Sequence, residues 1–369
     1  MLSQLARSIW SIVAIASVPL LLGLPQTTAK CLNPSVRREW RSFTNNEKAE
    51  WIRAVKCLGT LPHNDALAPT VNPPDIGPVN ISGSYYDDFV YLHMDLNIKI
   101  HFTGLFLPWH RWYVHVYEGA LKSKCNFRGV SPYWDWTKDA SNVYESTLLK
   151  DASPVHGLGG WGDPNNDYRV PDGAFSSSSS FRLSYPSPHT IRRNFTLQPY
   201  MNFPLPGFIT DPLLEANATF TKGEIDKLTN GFVGDFKRFQ TYFEAFNGSH
   251  GGVHNIVGGD LGGTCPDTAP PGCVGGPTFS PNDVLFWLHH AMLDKIWFDW
   301  QHKHPANARA FQGGAVEALE NVTIFNMFPN GQAPFLDLNS TMPSDGLFPE
   351  VKISDVISTT DGILCYIYE

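Results

Sequence analysis

Charged side chains are scarce in this chain of 369 residues. They make up 17% of it, and acidic residues outnumber basic ones to give a formal net charge of -8. No run of lysine and arginine occurs, so the sequence lacks the basic surface on which nucleic-acid binding depends. After residue 29 no apolar stretch is long enough to cross a bilayer. We therefore expect neither nucleic acid nor a membrane among the partners of the folded domain.

Residues 1–29 combine one early positive charge, an apolar run over 9–24 and small residues ending at Ala29. This pattern predicts a secretory signal peptide that is cleaved after Ala29. A membrane anchor is the alternative, but the run contains Pro19 and is short for a bilayer span. We expect a secreted protein in which residues 30–369 form a single domain, without a further C-terminal domain.

Cysteine is infrequent, yet an even number of cysteines remains beyond the predicted signal peptide. In a secreted protein, six cysteines predict three disulfide bonds. Two of them lie close together in a loop rich in glycine and proline and are expected to pair; the pairing of the other four is open. The bonds that we favour are Cys265–Cys273, Cys57–Cys125 and Cys31–Cys365. Six N-x-S/T sequons are candidates for glycosylation: Asn80, Asn194, Asn217, Asn247, Asn321 and Asn339.

The strongest helix prediction covers residues 280–300, which are almost entirely apolar or aromatic beyond a capping box formed by Ser280 and Asp283. A helix that is apolar on all sides is buried. Within its apolar run the helix carries His289, His290 and Asp294. A buried imidazole needs a partner, which is a backbone carbonyl or a carboxylate in an ordinary core and a metal ion in a binding site.

Other patterns place most of the chain in a mainly α fold. Ser84 and Asp87 form a second capping box ahead of a predicted helix that carries His93. Segment 151–212, rich in proline, glycine and serine, is predicted to cross the surface as loop. Further helices are predicted over 110–122, 221–246 and, more weakly, 308–319. We expect a helix-bundle core wrapped by long surface loops, with a few short strands that include the closing CYIYE.

Histidine spacing in the second half of the chain favours the metal over the ordinary core. His250 and His254 are four residues apart, so both lie on one face of a helix and can reach the same ion. His290, on the buried helix, can supply a third ligand.

A second group of histidines lies in the first half of the chain. We expect His93 to end one helix, His110 to begin the next and His101 to lie in the connection. Ligand sets made only of imidazole suit zinc, copper, iron or nickel. The sequence has no H-E-x-x-H motif, which argues against a zinc hydrolase. Two sites of three histidines each fit a copper pair that binds dioxygen.

Two stretches resemble the copper signatures of the type 3 copper proteins, which include tyrosinases, catechol oxidases (polyphenol oxidases) and molluscan haemocyanins. One is the spacing of His101 and His110, and the other is DVLFWLHHAMLDKIW over residues 283–297. The closing CYIYE is similar to the tyrosine motif that ends the catalytic domain in fungal members. The resemblance covers roughly residues 85–300, and it is specific because the motifs occur together and in order.

The resemblance implies a dinuclear copper site in a short, secreted catalytic domain of the fungal type. The implied copper ligands are His93, His101 and His110 for one ion and His250, His254 and His290 for the other. Residues expected to support the ligands without binding copper are His289 and Asp294. Implied substrate-pocket residues are Gly251, Asn255 and Phe286. Candidates for a base or for holding a water molecule are Glu244 and Asn255.

The sequence departs from the family pattern at three places. Val284 stands where the family commonly has proline, and no cysteine lies between His93 and His110, so no thioether to a ligand is expected. Gly251 stands where efficient monophenol hydroxylases carry asparagine, which argues against strong hydroxylation. Gly251 and Gly252 either admit a bulky phenol or simply permit close helix packing.

The resemblance implies oxidation of ortho-diphenols to ortho-quinones with dioxygen, and tyrosinases also hydroxylate monophenols. Phenolic small molecules and dioxygen are therefore the expected partners, while the sequence does not indicate an oligomeric state. Two alternatives stay open. One is a tailoring oxidase that acts on tyrosyl groups of a peptide or on a secondary metabolite. The other, less favoured, is a haemocyanin-like oxygen carrier, because carriers cover the copper pair with an additional C-terminal domain.

Overall fold

The computed structural model describes residues 31–205 and 207–369, so the predicted signal peptide lies outside the described residues. Helices form most of the regular structure, which confirms the mainly α prediction. In the described chain the helices are α1 (Asn45–Leu58), α2 (Tyr85–Ile100), α3 (Phe106–Cys125), α4 (Lys222–Asn230), α5 (Phe236–Glu244), α6 (Ser249–Val257), α7 (Leu285–Lys303), α8 (Val322–Met327) and α9 (Ile353–Val356). The short strands are β1 (Ser35–Arg37), β2 (Gly313–Val316), β3 (Gln332–Leu336), β4 (Thr341–Met342), β5 (Val351–Lys352) and β6 (Tyr366–Tyr368). Among these helices, none is both long and apolar enough to span a membrane.

The core is a helix bundle in which α3 packs against α7, with α1 and α2 beside α3 and α4 beside α7. Large aromatic rings fill the space between the helices. Tyr117 of α3 stacks on Trp287 of α7 with ring centroids 3.5 Å apart, and Phe89 of α2 meets Trp287 edge-on at 5.7 Å. Close-packed rings of this size leave little freedom for the helices to shift. The histidines on the same helices are therefore held at fixed positions.

Helix α7 is buried nearly all round, as predicted, but it begins at Leu285, later than the sequence indicates. Residues Pro277–Asn282 form a separate 3₁₀ turn ahead of it. Asp283 does not form a capping box with Ser280, because Arg193 holds both of its carboxylate oxygens, with N···O distances of 2.7 and 2.9 Å. One of these oxygens also accepts a hydrogen bond from the backbone nitrogen of Leu285. Asp283 thus caps the helix at a later start.

Two further predicted helices differ in the structure, and glycine explains both differences. The predicted helix over 221–246 is divided into α4 and α5, because Gly231 ends α4. The helix predicted over 308–319 is wrong, since this segment contains β2, which pairs antiparallel with β3. Gly313 lies so close to Gly104 that a Cβ on Gly313 would be 2.3 Å from the Gly104 Cα. This contact fixes the turn between α2 and α3 against the small sheet.

Segment 151–212 is mostly loop, as predicted, but it is not confined to the surface. Arg192 and Arg193 are both buried within it. The backbone nitrogen of Arg192 donates to Asp260 at 2.8 Å, and the Arg193 guanidinium pairs with Asp283 and also donates to backbone carbonyls of the same segment. Because guanidinium groups have several donors, they satisfy loop carbonyls that have no sheet partner. The loop can therefore fold inward over the bundle.

All three predicted disulfides are confirmed. The sequons remain predictions, and the structure places their side chains in two classes. Those exposed are Asn80, Asn321 and Asn339, and those half-buried are Asn194, Asn217 and Asn247. Asn217 donates its side-chain nitrogen to the Ala140 carbonyl at 2.9 Å, so this sequon is poorly placed for modification of the folded chain.

A buried charge network joins both ends of the chain to α7. Asp294 accepts hydrogen bonds from the Arg111 Nε at 2.5 Å and from the hydroxyls of Tyr366 and Tyr368, each at 2.6 Å. Arg37 of β1 lies 3.3 Å from the same carboxylate. Burial by itself raises the pKa of Asp294, but the two arginines outweigh it and the pKa is lowered. The expectation that Asp294 supports the histidines is wrong, because every hydrogen bond described for its side chain goes to this network.

We expect Asp294→Ala to lower the free energy of unfolding by about 3–5 kcal/mol, because it leaves the buried Arg111 guanidinium without a carboxylate partner and Arg37 with Glu118 alone. Urea unfolding measures the loss. The matched control is Asp299→Ala on the same helix, where a partly exposed carboxylate pairs with Lys295 at 2.7 Å and removal should cost less than about 1 kcal/mol. Equal losses in the two variants would show that the network does not hold the chain ends.

Candidate metal centre

Two groups of histidines meet in the middle of the bundle. Within each group, one potential ligand atom per residue lies within 4.8 Å of the others, and every member is buried. The first group, from α2, α3 and the turn between them, is His93, His101 and His110. The second group, from α6 and α7, is His250, His254, His289 and His290. The structure thus brings together all six histidines that the sequence predicts as ligands, and adds His289.

Helices α2 and α3 are longer than predicted. The capping box of Ser84 and Asp87 is confirmed, but α2 continues to Ile100, so the expectation that His93 ends the helix is wrong. His110 likewise lies one turn inside α3. The two Nε2 atoms of His93 and His110 are 3.5 Å apart. They face each other from two rigid helices, and His101 caps the end of α2.

Backbone carbonyls set the orientation of most of these imidazoles. A carbonyl oxygen only accepts, so an Nδ1 bonded to it carries the proton, and Nε2 of a neutral ring is left with the free lone pair. Metal-binding histidines commonly show this arrangement. The Nδ1 atoms donate from His93 to Thr278 at 2.6 Å, from His101 to Asn97 at 3.2 Å, from His110 to Phe106 at 2.7 Å and from His254 to Leu261 at 2.6 Å.

Several ring nitrogens in the second group are buried without a hydrogen-bond partner among the described residues. They are Nε2 of His250, His254, His289 and His290, together with Nδ1 of His290. Each unpaired buried polar atom costs about 1–3 kcal/mol, so a cluster of them calls for an explanation. A metal ion provides one for a single nitrogen each of His250, His254 and His290, and a donor set made of imidazole suits copper among other ions. The residues present therefore fit a pair of metal ions.

His289 lies nearer to the centre than the sequence indicates, but its proton is on the wrong nitrogen for a ligand. Its Nδ1 is 3.2 Å from the indole Nε1 of Trp136. Because an indole nitrogen only donates, Nδ1 holds the lone pair and Nε2 of the neutral ring carries the proton. His290 has no such constraint. Sequence reasoning missed Trp136 because it lies in a loop 153 residues earlier.

Burial lowers the pKa of every histidine in the two groups. The pKa of His101 falls to about 3 and that of His254 to about 4, with desolvation as the largest cause. Neighbouring imidazoles lower the pKa of His93, His110 and His290 further. The neutral form of imidazole is the one that binds a metal. The metal-free rings are therefore already in their binding form at neutral pH.

Glu244, predicted as a candidate base, is buried at the end of α5. One carboxylate oxygen accepts a hydrogen bond from the backbone nitrogen of Phe102 at 2.5 Å, and the other accepts from Gln240 at 3.1 Å. Phe102 follows His101 directly and has a φ of 51°, in the left-handed region. Burial raises the pKa of Glu244 well above its usual range. This geometry suits a residue that positions the His101 turn better than one that takes a proton from substrate.

The two glycines at the start of α6 are explained by close packing. A Cβ on Gly251 would lie 2.4 Å from the Phe246 carbonyl oxygen, and a Cβ on Gly252 would lie 2.1 Å from the Thr219 hydroxyl. At Gly251 a side chain would require the backbone to move, and at Gly252 it would require the Thr219 side chain to move. The structure therefore favours packing over an enlarged pocket as the reason for both glycines.

The other two predicted pocket residues lie in different surroundings. Phe286 is fully buried, with its ring centroid 4.0 Å from that of His290 and 5.2 Å from that of His93. It packs between the two groups, so its assignment to an open pocket is wrong. Asn255 follows His254 on α6 and is half-buried.

Comparisons with known proteins agree with the geometry. The family model "Common central domain of tyrosinase" matches residues 83–303, which include both histidine groups. The tyrosinase-like protein phomQ1 of Diaporthe leptostromiformis is 30% identical over 358 residues, covering 92% of this chain and 79% of that protein. The N-acetyl-6-hydroxytryptophan oxidase ivoB of Emericella nidulans is 27% identical over 375 residues, covering 91% of this chain and 93% of that protein.

A solved structure shows the same likeness in three dimensions. A polyphenol oxidase variant from Thermothelomyces thermophila superposes with a TM-score of 0.62 at 25% identity, over 91% of this chain and 89% of that chain. The matched family domain spans more than half of the sequence and contains the histidine groups described above. The chain therefore belongs to the tyrosinase family and is a type 3 copper oxidoreductase.

Proposed function

We propose that this chain oxidises ortho-diphenols to ortho-quinones with dioxygen at a pair of copper ions. One observation carries the proposal. Two facing groups of buried imidazoles present Nε2 atoms that are either left free by backbone hydrogen bonds at Nδ1 or lack any partner in the described chain. An ordinary apolar core would not collect such atoms at its centre.

Six histidines would hold the metal. The ligands of one copper ion would be His93, His101 and His110, and those of the other His250, His254 and His290. When bound, the copper pair supplies the redox chemistry with dioxygen. Two diphenols then give two quinones while one dioxygen is reduced to two waters, so four electrons and four protons balance.

The chain itself keeps the site dry, orients the rings and handles protons at its edge. Phe286 fills the space behind the imidazoles, and the Leu261 carbonyl fixes the direction of the His254 ring. Glu244 holds the turn that carries His101. Asn255 is half-buried beside His254 and is the residue we assign to hold a water that accepts a phenolic proton.

The histidine pair on α7 gives a direct test of the ligand assignment. We expect His290→Gln to reduce the copper content from two ions to one per chain. His289→Gln should keep both ions, because the Trp136 indole forces the proton of His289 onto Nε2. Metal analysis of the two purified variants measures the difference. Loss of copper from the His289→Gln protein and retention in the His290→Gln protein would reverse the assignment.

Oxygen uptake by copper-loaded protein tests the proposed activity, measured first with catechol and then with a matched monophenol. Uptake with catechol supports the proposal. Additional uptake with the monophenol would show that asparagine at position 251 is not needed for hydroxylation in this chain. No uptake with catechol by protein that holds two copper ions would contradict the proposal.

A second candidate function is the oxidation of a larger phenolic compound as a tailoring step. The relative ivoB is named as an oxidase of N-acetyl-6-hydroxytryptophan, which is larger than catechol. The identity of the substrate depends on which residues surround the opening of the site.

Secretion is also an inference, and the three disulfides support it because such bonds persist in oxidising compartments.

A further inference from the structure

All the candidate ligands are buried, and the three with the most accessible surface come from the turn after α2 and from α6. His250 is 6% exposed, and His101 and His254 are each 4% exposed, whereas His93 is 0% and His290 is 1% exposed. A substrate therefore approaches from the side where the turn after α2 meets the start of α6. The opposite side is filled by buried aromatic rings such as Phe286.

Five phenylalanine rings lie together beside the segments that carry His101 and His250, and we call them the phenylalanine wall. They come from four separate segments, and each is half-buried. Its members are Phe102, Phe203, Phe208, Phe246 and Phe325. The wall starts next to the candidate ligands, because Phe102 follows His101 in the chain and Phe246 lies about one turn ahead of His250. The ring centroids of Phe102 and Phe246 are 4.6 Å apart.

The remaining rings continue the wall away from the histidines. Phe246 lies 5.1 Å from Phe203 and 5.3 Å from Phe208. Phe325 of α8 lies 5.3 Å from Phe208 and 5.8 Å from Phe102. The Cβ position of Gly207 lies 3.7 Å from Val322, so Gly207, next to Phe208, also lies close to α8. Two segments distant in sequence thus meet in the phenylalanine wall.

The accessible apolar surface of these half-buried rings is unfavourable in water unless a ligand or another chain covers it. Contiguous exposed apolar patches on soluble proteins commonly mark binding sites. In the core of this chain, phenylalanines such as Phe239 and Phe243 are fully buried, whereas the rings of the wall keep accessible surface. Aromatic rings favour edge and face contacts with another ring. An aromatic group on the substrate would complete the packing that the wall leaves unfinished.

Resting on the proposed function, we propose that the phenylalanine wall selects ortho-diphenols that carry an apolar, ring-sized substituent. Neither Phe208 nor Phe325 has a described ring contact with a histidine, so it is a substituent beyond the catechol ring that reaches them. The shared chemistry is a diphenol ring joined to an aromatic group. Its source is either a free small molecule or a dihydroxyphenylalanyl residue next to an aromatic residue in a peptide.

The test compares kcat/KM for catechol and 4-phenylcatechol in copper-loaded protein. We expect the wild type to prefer 4-phenylcatechol, and Phe325→Ala to reduce that preference about tenfold. Phe325→Leu, which keeps an apolar side chain, should fold readily and still lose most of the preference. The matched control is Phe335→Ala on β3, a ring that is 69% exposed and outside the wall; it should leave the preference unchanged. A preference that is the same in wild type and in both Phe325 variants overturns the proposal.

Binding to metal-free protein separates this proposal from the proposed activity. Calorimetry with 4-phenylphenol should show binding that Phe325→Ala weakens, whether or not the copper-loaded protein oxidises catechol. Catechol oxidation without any preference for 4-phenylcatechol would contradict the proposed role of the phenylalanine wall and leave the proposed activity intact. Dipeptide amides of dihydroxyphenylalanine with phenylalanine or alanine distinguish the two sources. A phenylalanine preference that Phe325→Ala removes assigns the wall to a peptide, and a preference limited to free 4-phenylcatechol assigns it to a small molecule.

Discussion

Replacing His110 with alanine is expected to leave one copper ion per chain and to reduce catechol oxidation by more than about 100-fold. Loss of a partner that merely orients a metal ligand already costs about 10- to 100-fold, so loss of the ligand itself should cost more. His250→Ala should have the same effect from the other side of the centre. Both residues lie on helices held by close packing, and their rings are part of the two facing groups, so each replacement removes one imidazole from the centre.

The control for these variants is His302→Ala. His302 is exposed near the end of α7, and its Nδ1 donates to the Phe298 carbonyl at 2.7 Å. It should keep both copper ions and full activity. Metal analysis and oxygen uptake on the same samples distinguish a lost ligand from a misfolded chain. Two copper ions and normal uptake in His110→Ala would remove His110 from the set of ligands.

Local patterns predicted the parts of the site that lie close together in sequence. The four-residue spacing of His250 and His254 requires one helical face, and α6 provides it. The start of α2 follows from the hydrogen bonds of Ser84 and Asp87, which depend only on nearby backbone. The number of disulfides and the Cys265–Cys273 pair were predicted from the number and placement of cysteines, whereas the pairing of the other four was only favoured among open alternatives.

Contacts between distant segments account for what the sequence did not reveal. The start of α7 depends on Arg193, which reaches Asp283 from a loop 90 residues earlier. The proton position on His289 depends on Trp136, and β2 forms where Gly313 meets Gly104. No local period or motif encodes such meetings. The phenylalanine wall could not be predicted from the sequence for the same reason, because its rings come from four segments.

The resemblance to type 3 copper proteins carried the prediction of copper, because spacing alone leaves several imidazole-binding metals open. The structure adds a physical reason to expect a metal at this position. Buried neutral imidazoles that keep a ring nitrogen without a protein partner are unfavourable in a core unless a ligand uses that nitrogen. The fold therefore gives up stability at this centre, and the amount given up depends on pH.

Metal-free protein is expected to lose stability steeply as the pH falls below about 6.5. Seven histidines lie in the two groups, and burial lowers the pKa of each in the folded state. In the unfolded chain these rings have their ordinary pKa near 6.5. Below that pH the unfolded chain binds protons that the folded chain does not, so the free energy of unfolding falls as the pH falls. The loss continues down to the folded-state values, about 3 for His101 and about 4 for His254.

The slope of this loss depends on how many imidazoles are neutral in the folded chain and protonated in the unfolded chain. Each one that is neutral when folded and protonated when unfolded contributes about 1.4 kcal/mol per pH unit. Seven give at most about 10 kcal/mol per pH unit, which is comparable to the whole stability of a typical domain at about 5–15 kcal/mol. His115, outside the two groups, adds to the loss because burial lowers its pKa to about 4. Groups whose pKa values are raised in the folded chain act in the opposite direction, among them His189, where Asp260 outweighs burial, and Glu244, Glu317 and Asp345, where burial raises the pKa. The imidazoles outnumber these groups, so metal-free protein should still lose much of its stability between pH 6.5 and about 5.

Urea unfolding of chelator-treated protein at pH 7.0, 6.5 and 6.0 measures the slope, and His290→Phe tests its origin. The His290 ring makes no hydrogen bond in the described chain and stacks on Phe286 and His110 at 4.0 and 4.4 Å, so a phenyl ring fits in its place. Removing one imidazole should reduce the slope by about 1.4 kcal/mol per pH unit. A stability that stays level from pH 7 to 6 would mean that the histidines take up protons inside the folded chain, and the preformed neutral site inferred from burial would then be wrong. A steep slope that bound copper abolishes would show that the same imidazoles that destabilise the metal-free fold hold the metal.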